Sequence, residues 1–187
     1  MQAAPVTAAK PKVVATPKVK AVTKEFKNST WYLENMKEGE ELFEGSENVS
    51  KRIGFNLYAN QNCSITVKGK CRSMVIEACK KMSIYVDSCV SEIYLMNCTN
   101  VKVFCIKDIK TVSLEASKEI TVNLTKSTRN CMVTSTCCRG VFVRFPKTDA
   151  PDEPIEENDF TKMPVPETYE SKVSGDELIT KPMESLE

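Results

Sequence analysis

The side chains able to do chemistry in this chain are thiols, carboxylates and lysines, because histidine is absent altogether. That absence removes the commonest general base, Ser-His and Cys-His nucleophile systems, and His-ligated metal sites. Nine cysteines remain, but the number is odd, none form close pairs at metal-ligand spacing, and no signal peptide precedes them. They are expected as reduced structural thiols: Cys105 and Cys131 fall on apolar positions of a repeat, and Cys79 and Cys98 are expected to stack on neighbouring rungs, close enough to bridge under oxidation. The carboxylate pairs Glu40-Glu41 and Glu156-Glu157 sit in polar stretches and are expected as solvated surface. No phosphate-cradling motif occurs, and six glycines leave little material for one. These features imply a binding protein rather than an enzyme, without metal or cofactor.

The cationic residues that could bind a partner are local. Lysines and arginines number 26 against 25 acids, so no global field argues for nucleic acid or a membrane surface. No run approaches the roughly 18 apolar residues of a membrane span, and the chain is expected to be soluble and intracellular. The sequons starting at Asn28, Asn48, Asn62, Asn97 and Asn123 would matter only in a secretory protein.

The elements that position these residues repeat every 19 positions from Phe55 to Val143. Ile65, Ile84, Val103, Val122 and Val141 form one apolar series, with Val67, Val86, Cys105, Leu124 and Val143 two positions behind. Half a period away stand Phe55, Met74, Ile93, Val112 and Cys131, followed by Leu57, Ile76, Leu95, Leu114 and Val133. Within each unit apolar and polar residues alternate, as in Ser64-Ile65-Thr66-Val67-Lys68, which predicts short strands with one face buried. Two strands per 19-residue coil, all units equivalent, predict an all-β solenoid: a parallel β-helix of stacked coils.

The same register assigns the outward residues. One face is predicted to carry a row of Thr66, Tyr85, Phe104, Asn123 and Phe142, with Lys102 beside it; the other carries Val75, Tyr94, Ser113 and Met132 beside Glu77, Glu92 and Glu115. Three aromatics on solvent-facing ground point either to a covering partner or to a surface ladder that stabilises the stack. Lys68, Lys70 and Arg72 at one coil corner and Lys80-Lys81 in the next turn are predicted to form a basic patch, suited to an acidic protein surface or else merely solvated. A carbohydrate-active site needs paired carboxylates in a cleft; Met96 interrupts Glu77 and Glu115, and no general acid emerges.

Residues 1–27, rich in Pro, Lys and Ala, are expected as an extended leader, with a Pro-rich adaptor ligand as the alternative. Residues 28–145 are expected to form the β-helix, with Trp31 and Phe43 covering its open end or making an irregular first rung. An acidic linker is expected at 146–162 and a C-terminal hairpin at 163–187, turning at Ser174-Gly175 and packing on a sheet of its own or another subunit.

Trp31-x-x-Glu34-Asn35, the run Ile65-Thr-Val-Lys-Gly-Lys70, Ala78-Cys-Lys-Lys81 and the tail Pro164-Val-Pro166-Glu…Leu178-Ile-Thr180 resemble the C-terminal domain of cyclase-associated proteins, over roughly residues 28 to 187. The resemblance implies a right-handed β-helix that dimerises by exchanging C-terminal strands, binds ADP-loaded monomeric actin in the cytoplasm and promotes its nucleotide exchange. It makes Lys68, Lys70, Arg72, Lys80, Lys81, Tyr85, Lys102, Phe104, Leu178, Ile179 and Thr180 candidates for actin contact. Pro164, Val165, Pro166, Tyr169, Leu178, Ile179 and Phe142 become candidates for dimerisation. Leu178 to Thr180 are then either the exchanged strand, a reach toward actin's nucleotide region, or both. Larger relatives carry an N-terminal helical domain, a cyclase-binding coiled coil, polyproline and a verprolin-homology motif. None is visible here, so adenylyl cyclase is a weaker partner expectation than actin. A dimerisation or adaptor module without exchange activity is the alternative.

Overall fold

The computed structural model describes residues 21–148, 157–174 and 177–183. β1 (Thr23–Lys27) leads into a stack that alternates between two sheets. Sheet A contains β2 (Thr30–Glu34), β4 (Gly54–Tyr58), β6 (Met74–Glu77), β8 (Ile93–Met96), β10 (Thr111–Glu115) and β12 (Met132–Thr136), each parallel to the next, with β1 antiparallel on its outer edge. Sheet B contains β3 (Gly39–Phe43), β5 (Cys63–Cys71), β7 (Lys80–Cys89), β9 (Thr99–Asp108), β11 (Lys118–Leu124) and β13 (Phe142–Pro146). This is the expected parallel β-helix.

Its core is the inward half of the period-two pattern. Leu33, Leu57, Ile76, Leu95 and Leu114 stack down sheet A, and Ile65, Ile84, Val103 and Val122 face them from sheet B, all 0–2% exposed. Burial at about 1.5–3 kcal/mol per large apolar side chain makes this row the main stabilising element. At the first rung Phe26, Trp31, Phe43 and Phe55 form a chain of ring contacts 5.1–5.2 Å apart. Lys24 of β1 reaches across that end to Glu41. Trp31 and Phe43 are thus both first rung and end cover.

The corner from sheet A to sheet B has its own repeat. Ala59, Ala78, Asn97, Ala116 and Cys137 open it, and Asn62, Lys81, Asn100, Glu119 and Gly140 close it, all with φ between 46° and 63°. Such left-handed residues are costly outside glycine unless their surroundings hold them. Here the rungs do: the amides of Ala59, Ala78, Asn97 and Ala116 donate to the carbonyls of Glu77, Met96, Glu115 and Thr136 on the next coil at 3.0–3.1 Å. One side chain per corner turns inward, giving a buried column of Asn60, Cys79, Cys98, Ser117 and Cys138.

The spacing fails at the last coil. Val112 pairs with Val133 and Val122 with Val143, 21 positions on, where the rungs from Phe55 and Ile65 onward step by 19. Two additional residues lie in the turn 125–131, which Thr128 ties down: its hydroxyl donates to the Cys105 carbonyl at 2.9 Å and accepts from the Thr125 amide at 2.9 Å. Cys131 therefore sits half-buried in the turn instead of on the strand, and Val141 is buried just ahead of β13.

Both tails also differ from expectation. The leader gives way to strand at Thr23, because β1 hydrogen-bonds the open edge of sheet A. The stretch expected as linker joins sheet B at Phe160: after a single 3-10 turn (Glu157–Asp159), β14 (Phe160–Pro164) runs antiparallel to β13. The hairpin forms from β15 (Tyr169–Ser174) and β16 (Glu177–Pro182), so Met163 belongs to the solenoid. The expected turn residue Gly175 lies outside the described residues.

Candidate functional site

Sheet B presents the most distinctive outer surface. Thr66, Tyr85, Phe104 and Asn123 are in register on successive strands, and the Tyr85 and Phe104 rings stack at 4.4 Å with 7° between their planes. Both stay partly exposed. Lys102 stands two residues before Phe104 on β9, in the row of Ser64, Ser83 and Thr121. Phe142 does not extend the Tyr85–Phe104 row. The 21-residue last coil places Arg144 there and pairs Phe142 with Thr121. On sheet A the same shift puts Thr134, not Met132, beyond Ser113.

The basic corner is built by a bulge. Register slips between Val67 and Lys70, with Gly69 at φ +116°, so Lys68 is pushed outward. A Cβ at Gly69 would meet Val49 Cγ1 at 3.3 Å as well as a strained backbone. The Gly69 amide donates to Asp87 Oδ2 at 3.1 Å, and that carboxylate also takes Lys107 at 2.7 Å. Lys68 pairs with Glu44 at 3.3 Å and Lys70 with Asp108 at 2.6 Å. Lys70 holds the Asp108 carboxyl below its ordinary pKa, first through the hydrogen bond and then through its charge. The corner is therefore an alternating network rather than bare positive charge. Its acids were hidden in the sequence because the bulges break the 19-residue spacing: Asp108 aligns with Ser88, not with Cys89.

The other expected members of the patch lie elsewhere. Lys80 aligns with Gln61 and Thr99 at the opposite end of β7, while Lys70 aligns with Ser88. Seven residues of strand separate Lys81 from that level, about 23 Å at 3.3 Å each. Arg72 turns onto sheet A, where its guanidinium donates to Thr30 Oγ1 at 3.1 Å and fills the space a Cβ on Gly54 would need.

The dimerisation candidates also divide. Pro164 pairs with Phe142, the Val165 amide donates to the Val141 carbonyl at 2.9 Å, and Val165 packs on the core beside Val133, Val143 and Phe145. Lys162 Nζ lies 4.3 Å from the Phe142 ring centre, and Arg144 lies 3.5 Å from that of Phe160. Pro164, Val165 and Phe142 thus finish the chain's own last rung, and Pro166 follows in a cavity of about 520 Å³ between that rung and the hairpin base. Tyr169, Leu178, Ile179 and Thr180 belong to the hairpin and are exposed. Strand alternation puts Leu178 with Tyr169, Val173 and Pro182 on one hairpin face and Ile179 with Lys172 on the other.

The cysteines are free thiols, and eight of the nine are at least half-buried. Hydrogen bonds within the Cys79–Cys98 and Cys71–Cys89 pairs push the first-named thiol of each up from its ordinary pKa, with burial adding to the shift. Cys98 also donates to the Ile76 and Met96 carbonyls, and its amide donates to Ser117 Oγ at 3.0 Å. Sequence reasoning missed the head of that column, Asn60, although Asn60, Cys79, Cys98 and Ser117 repeat every 19 positions. Among the described residues no cluster of three or more Cys, Asp or Glu could hold a metal ion, and no helix is long and apolar enough to cross a membrane.

The family model for the adenylate cyclase associated (CAP) C-terminal domain matches residues 20–185. Human adenylyl cyclase-associated protein 1 is 28% identical over 167 residues, 89% of this chain and 33% of the relative. Human adenylyl cyclase-associated protein 2 is 22% identical over 162 residues, 87% of this chain and 32% of the relative. The chain thus spans about a third of the length of these curated relatives. A crystal structure of cyclase-associated protein from Cryptosporidium parvum superimposes with a TM-score of 0.75 at 24% identity, over 88% of this chain and 96% of that one, which supports the fold.

Proposed function

The chain belongs to the adenylate cyclase associated (CAP) C-terminal family, and from that premise we propose that it binds monomeric ADP-actin in the cytoplasm and promotes exchange of ADP for ATP. The observation that carries this reading is the Tyr85–Phe104 stack, partly exposed on sheet B with Lys102 beside it and the Lys68–Lys70 corner at the strand end. Stacked aromatics next to cations offer an apolar anchor with a charged rim, the usual composition of a protein interface. The ion-pair network gives the corner a fixed geometry, so an acidic partner surface would meet preplaced ammonium groups.

The mechanism is differential binding. A partner that grips an open nucleotide cleft more tightly than a closed one shifts actin toward the open state, and each tenfold gain in release requires about 1.4 kcal/mol of that preference. No bond-making group is needed, in keeping with the absence of histidine. The hairpin, whose Leu178 and Val173 are 69% and 75% exposed, favours a second, compatible reading: it seats on another copy of the chain by strand exchange, giving a homodimer. An adaptor that dimerises and associates with a cyclase, the partner in its relatives' names, would share this surface but not the exchange activity.

The test is release of a fluorescent nucleotide from ADP-actin monomers. Saturating full chain is expected to accelerate release, and Lys68→Glu with Lys70→Glu to weaken the effect while the circular-dichroism spectrum stays unchanged. No acceleration by the unaltered chain leaves the adaptor reading standing and removes this one.

A further inference from the structure

Six of the nine cysteines meet in pairs from neighbouring coils: Cys71 with Cys89, Cys79 with Cys98, and Cys105 with Cys131, each pair sharing a thiol–thiol hydrogen bond. In the first two pairs both thiols are at most 1% exposed, so a dissolved oxidant reaches them only when the fold opens. The third pair is asymmetric. Cys105 is fully buried on β9, whereas Cys131 is half-buried in the turn 125–131.

The longer last coil creates this asymmetry. A 19-residue step from Val112 would put Cys131 on the strand; the two additional residues leave it just ahead of β12, packed against the core but open on its outer side. Three hydrogen bonds strap the turn to the preceding coil: Thr128 Oγ1 donates to the Cys105 carbonyl at 2.9 Å, Thr125 Oγ1 to the Ile106 carbonyl at 2.7 Å, and the Met132 amide to the Lys110 carbonyl at 2.8 Å. They hold Cys131 against Cys105. Stacked coils about 4.8 Å apart fall within the Cα separations of about 4.4–6.8 Å that a disulfide spans. Cys131 also lines two surface cavities of about 410 and 400 Å³. In the first, Arg129 alone among the lining residues is charged. The Cys131 thiol is held below its ordinary pKa, first by the Cys105 hydrogen bond and further by the Val112 backbone, against the burial that raises it. Cys105 is pushed up by the same hydrogen bond and by burial. An accessible thiol that ionises ahead of a protonated neighbour is the arrangement of a sensing thiol beside its resolving thiol.

We propose that Cys131 is an oxidation site for hydroperoxides, with Cys105 as its resolving thiol and a reversible Cys105–Cys131 disulfide as the product. Cys131 Sγ, as the thiolate, attacks one oxygen of hydrogen peroxide; the O–O bond breaks, hydroxide leaves and takes up the thiol's proton as water, and Cys131 becomes a sulfenic acid. Cys105 Sγ then attacks that sulfur, the S–O bond breaks, and the hydroxyl leaves with the Cys105 proton as a second water. Two thiols are oxidised by two electrons, and one peroxide is reduced to two waters. The bond clasps the turn of the last coil to β9, the strand that carries Lys102 and Phe104 on its outer side. This assignment does not depend on actin, so its fate is separate from that of the exchange activity.

The test treats the full chain carrying Cys137→Ser, which removes the exposed thiol, with a small molar excess of hydrogen peroxide and maps its peptides without reduction. A Cys105–Cys131 link that dithiothreitol reverses is expected, with the chain lighter by two hydrogen atoms. Adding Cys131→Ser is expected to abolish the link. Adding Cys105→Ala instead is expected to let dimedone trap the sulfenic acid at Cys131, an adduct that stays at trace level while Cys105 is present. Links confined to Cys71–Cys89 or Cys79–Cys98, links between chains, irreversible oxidation of Cys131 without a link, or an unreacted Cys131 each overturn the proposal. Alkylation by iodoacetamide gives a readout that needs no substitution at the pair: peroxide pretreatment is expected to slow reaction at Cys131 by about tenfold or more until dithiothreitol restores it. An unchanged rate also overturns the assignment.

Discussion

The solenoid and the C-terminal hairpin are built from the same kind of alternating strand, yet their apolar residues meet opposite fates. In β8 and β10, Ile93, Leu95, Val112 and Leu114 are at most 2% exposed, because the facing sheet supplies the second layer. In β15 and β16, Val173, Leu178 and Ile179 are 75%, 69% and 43% exposed. An isolated two-stranded hairpin is marginal in water, so the ladder of β15 with β16 holds the hairpin's shape without supplying a reason for its sequence. The solenoid completes itself; the hairpin presents a surface that another molecule would complete.

The largest effect that could break this contrast comes from paired truncations. Leu95→Ala is expected to lower unfolding free energy by about 2–5 kcal/mol in urea titration, the range for a fully buried leucine. Leu178→Ala is expected to change it by less than about 0.5 kcal/mol at protein concentrations that keep the chain monomeric, while sedimentation shows weakened self-association at higher concentration. If the two substitutions cost the same in the monomer, the hairpin packs on its own solenoid and the contrast fails.

A middle-sized effect sharpens it at the corner. Asn60 is fully buried, its amide nitrogen donating to the Leu33 carbonyl at 2.9 Å and its oxygen accepting from the Met36 amide at 2.9 Å. Asn60→Ala strands both backbone groups and is expected to cost about 1–3 kcal/mol by the same titration. Ser171, whose hydroxyl meets Thr180 Oγ1 at 2.8 Å in the hairpin, is solvated, and Ser171→Ala is expected to leave the midpoint unchanged.

The smallest effect lies at the ion-paired corner. Because Lys70 depresses the Asp108 pKa in the folded state, the pair contributes at pH values above the ordinary aspartate range and is lost as pH falls through the depressed folded value. Urea midpoints of the unaltered chain and of Lys70→Met should therefore differ slightly at neutral pH and converge in acid. Both side chains are substantially exposed, so the difference should also shrink in high salt. A gap that persists in acid would place the role of Lys70 in packing of its stem.

Much of the fold was legible because side-chain orientation in a strand depends only on parity, and a stack of equivalent coils repeats that parity at fixed spacing. Ile65, Ile84, Val103 and Val122 fall where the spacing puts them. The rule carries no information about a turn that changes length: Thr125 to Cys131 look like any other polar turn. Only the pairing of Val122 with Val143 reveals that Phe142 has left the Tyr85–Phe104 row. The candidate site was less legible. The repeat groups Lys68 and Lys81 in one patch, but they stand at opposite ends of their strands, and Arg72 crosses to the other sheet.

The sequence by itself determined the solenoid, its two faces and its family, since those follow from local alternation and a short-range motif. Tertiary structure decided which charges cancel. Glu44, Asp87 and Asp108 reach Lys68, Lys107 and Lys70 across coils, through bulges that spacing does not encode. It also decided that Glu34, Glu77 and Glu115 align on the outer face of sheet A. Ion pairing depends on separations of a few ångströms between residues distant along the chain, and only the register of stacked strands sets those separations.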